Sequence, residues 1–256
     1  MAAPPGAVTD LGRIHLQDVT VESGGTPVRA HLARPAEPGV RPGIVVVQEA
    51  HGLNEHIRDV ANRFANLGFD AIAPDLYTRE GAPAPGDTQD LMRRLFGMPD
   101  ARVLGDLEAC AAHLRALDSA SGKVGCIGFC VGGRFTLMFA CRSRALDAAV
   151  DCWGGFVDRA TPDAETSPER PVRVVDMLDG LCCPIHLVGG AEDQNPSPQL
   201  LEEIRSRLAQ TGQPVSLEVY ENAGHAFFAD YRPNYREEAA HRLWPRVVEF
   251  FDRHLR

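Results

Sequence analysis

An apolar run, Val124-Gly125-Cys126-Ile127, leads into Gly128-Phe129-Cys130-Val131-Gly132-Gly133 and then into Phe135-Thr136-Leu137-Met138-Phe139-Ala140. The order is strand, sharp turn, helix, with glycines on both sides of one thiol. Glycine suits such a turn because neighbouring backbone passes close by and a side chain would collide with it. A buried strand feeding directly into a helix is the building unit of a parallel sheet with helices on both faces. Ligands of such sheets bind at the carboxyl ends of the strands, and that is where the turn sets the side chain of Cys130.

Around this turn the chain alternates strand and helix. Residues 14–21 and 28–32 alternate apolar and polar side chains, which predicts an antiparallel hairpin. Gly43-Ile44-Val45-Val46-Val47 is continuously apolar, as in a strand covered on both faces. Ile57, Val60, Ala61 and Phe64 share one face of a helix that Gly68 stops, and residues 69–74 predict the next strand. Val103, Leu107, Ala111 and Leu114 mark a helix before the turn. Further strands are expected over 148–153, 184–190 and 215–219. Ser197-Pro198 opens a helix that Gly212 closes, and a last helix runs from about Tyr235 to the end, kinked at Pro245. The segment from Val157 to Asp179 is polar and proline-bearing and reads as a lid or loop insertion. The expectation is a tail over residues 1–13, then one domain over 14–256 with a doubly wound, mostly parallel sheet and an N-terminal hairpin.

Composition narrows the function classes. A chain of 256 residues suffices for one large α/β domain, and 44% hydrophobic with 24% charged residues is ordinary for a globular protein. A formal net charge of -9 argues against a nucleic-acid partner, although one local arginine can still attract an anionic small molecule. No apolar run approaches the roughly 20 residues of a membrane span, and residues 1–6 lack the basic and apolar regions of a signal peptide. Seven cysteines without regular spacing point to a reduced, cytoplasmic protein; the expected partner is a small molecule, and the expected assembly a monomer or homodimer. Cys182-Cys183 has no second pair at zinc spacing, so neither a metal nor another cofactor is expected.

A thiol nucleophile needs a base, and the base needs a third group to hold its tautomer. Ala191-Glu192-Asp193-Gln194 follows one strand, and Glu221-Asn222-Ala223-Gly224-His225 follows the next. Nucleophile, acid and histidine thus come in the chain order found in α/β-hydrolases. Cys130, Asp193 and His225 are the expected triad, with Glu192 as the weaker alternative acid. An oxyanion hole needs two backbone N–H groups. One is Val131, at the start of its helix, where the dipole also favours a thiolate. The second comes from the loop after Val47.

Gln48-Glu49, Pro74-Asp75-Leu76-Tyr77, the Cys130 turn, Gly190-Ala191-Glu192-Asp193 and Ala223-Gly224-His225 together resemble the dienelactone hydrolase (carboxymethylenebutenolidase) family, over almost the whole chain. The resemblance implies a single-domain α/β-hydrolase fold and the opening of an enol-lactone, in the parent case a dienelactone hydrolysed to maleylacetate during chlorocatechol breakdown. It implies that Ala50 supplies the second oxyanion N–H, that Glu49 assists the thiol, and that Arg79 binds a substrate carboxylate. Glu49 is also placed to pair with Arg58 or Arg79. His51, Trp153 and Phe227 are further candidates for the pocket wall. The pattern departs from the family at Ala229, where a second carboxylate-binding arginine would stand, leaving Arg232 as the nearest substitute. Two other readings stay open: a broader carboxylesterase or thioesterase with the same triad, and a non-catalytic scaffold that binds a partner.

Overall fold

A computed structural model describes residues 3–256. Strands β1 (Ile14–Ser23) and β2 (Thr26–Pro35) form the hairpin, β3 (Arg41–Val47), β4 (Asp70–Pro74), β5 (Ala120–Phe129), β6 (Ala148–Cys152), β7 (Ile185–Gly190) and β8 (Val215–Tyr220) complete the sheet. The helices are α1 (Glu55–Asn66), α2 (Thr88–Phe96), α3 (Asp100–Arg115), α4 (Val131–Arg142), α5 (Pro198–Leu208) and α6 (Glu237–Leu255). The sheet order is β1-β2-β4-β3-β5-β6-β7-β8. β1, β2 and β4 pair antiparallel, and every later pair is parallel.

The period-two alternation of strands divides the core into two layers. Val45 and Val47 of β3 join a cluster with Val103 and Leu107 of α3, Phe135 and Phe139 of α4, and Ile204 of α5. Ile44 and Val46 point the other way, to Ile57, Val60 and Phe64 of α1 and Leu243 and Phe251 of α6. The expected doubly wound α/β architecture is therefore present, with the hairpin at one edge. The hairpin is longer than its alternating core, because Gly24 and Gly25 both take positive φ (56° and 79°) and let pairing run to Ser23↔Thr26.

Three local features bear on the sequence reading. Helix α2 was not expected: it lies in a glycine- and proline-bearing stretch, yet Asp87 caps it by accepting from the Asp90 N–H. As expected, α6 continues through Pro245 to Leu255. Proline removes one N–H, whose partner would be the carbonyl of His241, and both residues lie on the exposed face. The Val157–Asp179 segment is pinned to the body by buried Val157, Ala160, Arg170, Val174 and Leu178. Among the described residues no helix is long and apolar enough to cross a membrane.

Candidate active site

Cys130 sits at the junction of β5 and α4 with φ 57° and ψ -120°, a strained conformation, and its N–H donates to Cys152 O at 3.0 Å. The close approaches that require glycine are explicit. A Cβ on Gly128 would lie 2.0 Å from Gly132 O, and one on Gly132 would lie 2.5 Å from both Val47 O and Gln48 O. The second contact presses the carboxyl end of β3 against the first turn of α4, which brings the Ala50 loop beside the thiol. The Ala50 carbonyl is held by the Tyr77 hydroxyl at 2.9 Å. Among the described residues, the N–H groups of Ala50 and Val131 have no protein acceptor.

His225 lies beyond β8, and its Nδ1 is 2.8 Å from Oδ2 of the buried Asp193. The other Asp193 oxygen accepts from the Asn195 N–H at 2.9 Å, which fixes the carboxylate. Glu192, the alternative acid, has an exposed side chain and makes no contact of this kind. Cys130 and His225 line the same cavity, and the thiol is close enough to act on the ring. Burial alone would depress the imidazole, but the Cys130 charge and then the Asp193 hydrogen bond outweigh it and raise His225 to about 10. An imidazole so oriented can act as a base toward a neighbouring thiol.

Glu49 is buried and lies on the same loop. Its Oε2 accepts from the Tyr231 hydroxyl at 2.8 Å, with Arg232 Nη2 at 3.9 Å, while Oε1 is buried without a partner. The possible pairing of Glu49 with Arg58 or Arg79 is not formed. Arg58 instead donates to Asp18 at 2.6 Å. Arg79 grips the buried Asp106 of α3 with two bonds of 2.7 and 2.9 Å and does not line the cavity, because that carboxylate already receives its guanidinium. Trp153 and Phe227 also leave the pocket wall: they are fully buried and pack on each other, ring centroids 4.7 Å apart. His51 is exposed and does not line the cavity.

The cavity above Cys130 has a volume of about 390 Å³. Its apolar side is Leu95, Val131 and Phe156, and its polar side is Glu192, Gln194 and Asn195 next to His225. It adjoins a second cavity of about 430 Å³ that shares Phe156, Gln194 and Asn195. Sequence reading missed Leu95 and Phe156. The first needed α2, whose capping aspartate and Leu91–Leu95 spacing were legible, and the second sits at positive φ (55°) in a loop without periodicity.

Both apolar walls are anchored from behind by buried arginines. Arg134 of α4 forms two bonds of 2.6 and 2.9 Å with Asp100, and its Nε donates to Phe156 O at 3.0 Å. Arg170 donates to Leu95 O at 2.5 Å and to Ala160 O at 3.0 Å. Burial, and then the charge of Arg134, lower Arg170 to about 10.

Asp151, buried at the end of β6, accepts from the Gly154 N–H at 2.8 Å and fills the space between Gly133 and Gly154. Burial raises its carboxyl to about 7, offset in part by that N–H. The folded protein then holds this proton between about pH 4 and 7 while the unfolded chain releases it, so stability falls as pH rises through that window. Asp151→Asn is expected to flatten this part of the stability–pH curve and to gain about 2–4 kcal/mol above pH 7. Thermal melts of both proteins from pH 4 to 8 check this, and parallel curves would show that the carboxyl is ionised throughout.

Comparison with known proteins followed the same outline. The model of the dienelactone hydrolase family matches residues 28–255. A Salmonella typhimurium protein named "Putative carboxymethylenebutenolidase" is 37% identical over 254 residues, covering 97% of this chain and 91% of its own. One of the same name from Methylorubrum extorquens is 34% identical, covering 98% and 85%. The crystal structure of "Putative Dienelactone Hydrolase" from Klebsiella pneumoniae superposes with a TM-score of 0.86 at 35% identity, covering 93% of this chain and 98% of that one.

Proposed function

This chain belongs to the dienelactone hydrolase family, hydrolases of ester and lactone bonds, and on that premise we propose that it cleaves lactones or activated esters through a thioester on Cys130. The observation that carries the reading is His225, bonded to Asp193 and lining one cavity together with Cys130. His225 takes the thiol proton, and Sγ attacks the carbonyl carbon. The N–H groups of Ala50 and Val131 donate to the developing oxyanion, which costs no reorganisation because neither has another partner. Collapse breaks the carbon–oxygen bond, and the imidazolium gives its proton to the departing alcohol or enol. Water then attacks the thioester with His225 as base, the carbon–sulfur bond breaks, and the acid leaves. Asp193 keeps the ring oriented throughout. The unpartnered Oε1 of Glu49 provides a second acceptor for the thiol proton in the resting state.

The test is to trap the intermediate. His225→Gln retains a side chain of similar reach but no base for deacylation. Mixed with para-nitrophenyl acetate, this variant is expected to accumulate one acetyl group, found on the peptide containing Cys130 by mass spectrometry. Acetylation of other cysteines with Cys130 left unmodified would remove the nucleophile assignment.

A further inference from the structure

We propose that the substrate of this site is an uncharged ester or lactone with an apolar acyl part, and that a carboxylate-bearing substrate is disfavoured. The inference rests on the catalytic reading above and deepens it. A substrate carboxylate taken out of water needs a cation or several N–H donors to receive it. The cavity wall supplies no cation and only the two amides of Gln194 and Asn195, and its one charged side chain outside the His225–Asp193 pair is Glu192. Arg170 is fully buried behind the wall on the Leu95 and Ala160 carbonyls, and the other arginines near the cavity are paired. Arg79 is bound to Asp106, Arg134 to Asp100, and Arg232 lies against Glu49 and the Tyr231 hydroxyl. Arg159 in the adjoining cavity is held by its neighbour Asp158 at 2.8 Å. An anion entering would meet Glu192 and would have to break one of these pairs to find a counter-charge.

The apolar side is built for a different guest. Leu95 and Phe156 reach the cavity from two unrelated segments, and each has its own carbonyl fixed by a buried guanidinium. Their positions are therefore set before any ligand arrives, which spares the ordering cost of closing around an apolar group. Beyond them, Gln194 and Asn195 offer neutral amides toward the second cavity. Their chemistry suits hydrogen-bonding, uncharged parts of a substrate. The combined cleft lies in the range of sites for ligands larger than a six-carbon lactone.

The experiment compares kcat/KM for three activated esters with one leaving group: para-nitrophenyl acetate, butyrate and hemisuccinate. Butyrate and hemisuccinate have acyl chains of equal length and differ in a terminal carboxylate. Butyrate is expected to exceed hemisuccinate by on the order of tenfold, the effect of one unpaired charge near a wall carboxylate after solvent screening. Glu192→Gln should narrow that ratio severalfold. Phe156→Ala should raise KM for butyrate about fivefold or more, through lost apolar contact, and change acetate much less. Equal or faster hydrolysis of hemisuccinate would overturn the inference. It would mean that the buried Arg134 and Arg170, which together carry one charge more than Asp100 neutralises, draw anions in. Equal losses on acetate and butyrate in Phe156→Ala would mark Phe156 as structural and would overturn the apolar acyl site. Acetate turnover that survives in Cys130→Ala would instead remove the catalytic reading, and this inference with it.

Discussion

Replacing Cys130 by alanine is expected to lower kcat/KM for an activated ester by at least about a thousandfold, with the melting temperature nearly unchanged. Removing a nucleophile from a working triad costs several orders of magnitude, because what remains is binding and the oxyanion donors. The fold should tolerate the change, since Cys130 is only partly buried and its strained backbone is held by contacts at Gly128 and Gly132 rather than by the thiol. His225→Ala should lose a comparable amount. The double variant should lose little more than either alone, because both side chains act on one step. Steady-state rates of the three variants on para-nitrophenyl acetate decide this. Additive losses would place His225 outside the chemistry, and retention of a tenth of the activity in Cys130→Ala would exclude that thiol as nucleophile.

Removing the carboxylate of Asp100 is expected to be the most destabilising single change near the site. The Asp100–Arg134 pair is almost wholly enclosed, with side-chain exposures of 7% and 1%. Taking away one member leaves an uncompensated charge in the interior, which costs about 3–5 kcal/mol. A second cation, Arg170, lies close enough to feel the same loss. For a domain of this size that corresponds to a fall in melting temperature of about 10 °C. Asp100→Asn keeps the shape and isolates the charge. Arg134 also holds the Phe156 carbonyl, so the variant that does fold should show a raised KM with a smaller change in kcat. A melting temperature within about 2 °C of the parent would show that the guanidinium finds another partner.

What sequence alone reached, and where it stopped, follows from the range of the interactions involved. The Cys130 turn was legible because its requirement is local: backbone within a few residues demands glycine, whatever the rest of the fold does. The alternation of continuous apolar strands with amphipathic helices led to the doubly wound sheet for the same reason, since both periods are properties of short segments. The chain order of Cys130, Asp193 and His225, each just past a strand, indicated which side chains a parallel sheet would gather at one edge. Partner choice was not legible. Arg79 and Arg232 both read as candidates for a substrate carboxylate, yet one meets Asp106, 27 positions further along the chain, and the other meets Glu49, 183 positions before it. Trp153 and Phe227 looked like pocket aromatics, but the sheet's twist and α6 enclosed them in the core, while Leu95 and Phe156 took the wall. Charge pairing and burial are settled by which segments the packed sheet and helices bring within a few ångströms, and no short stretch of sequence carries that information.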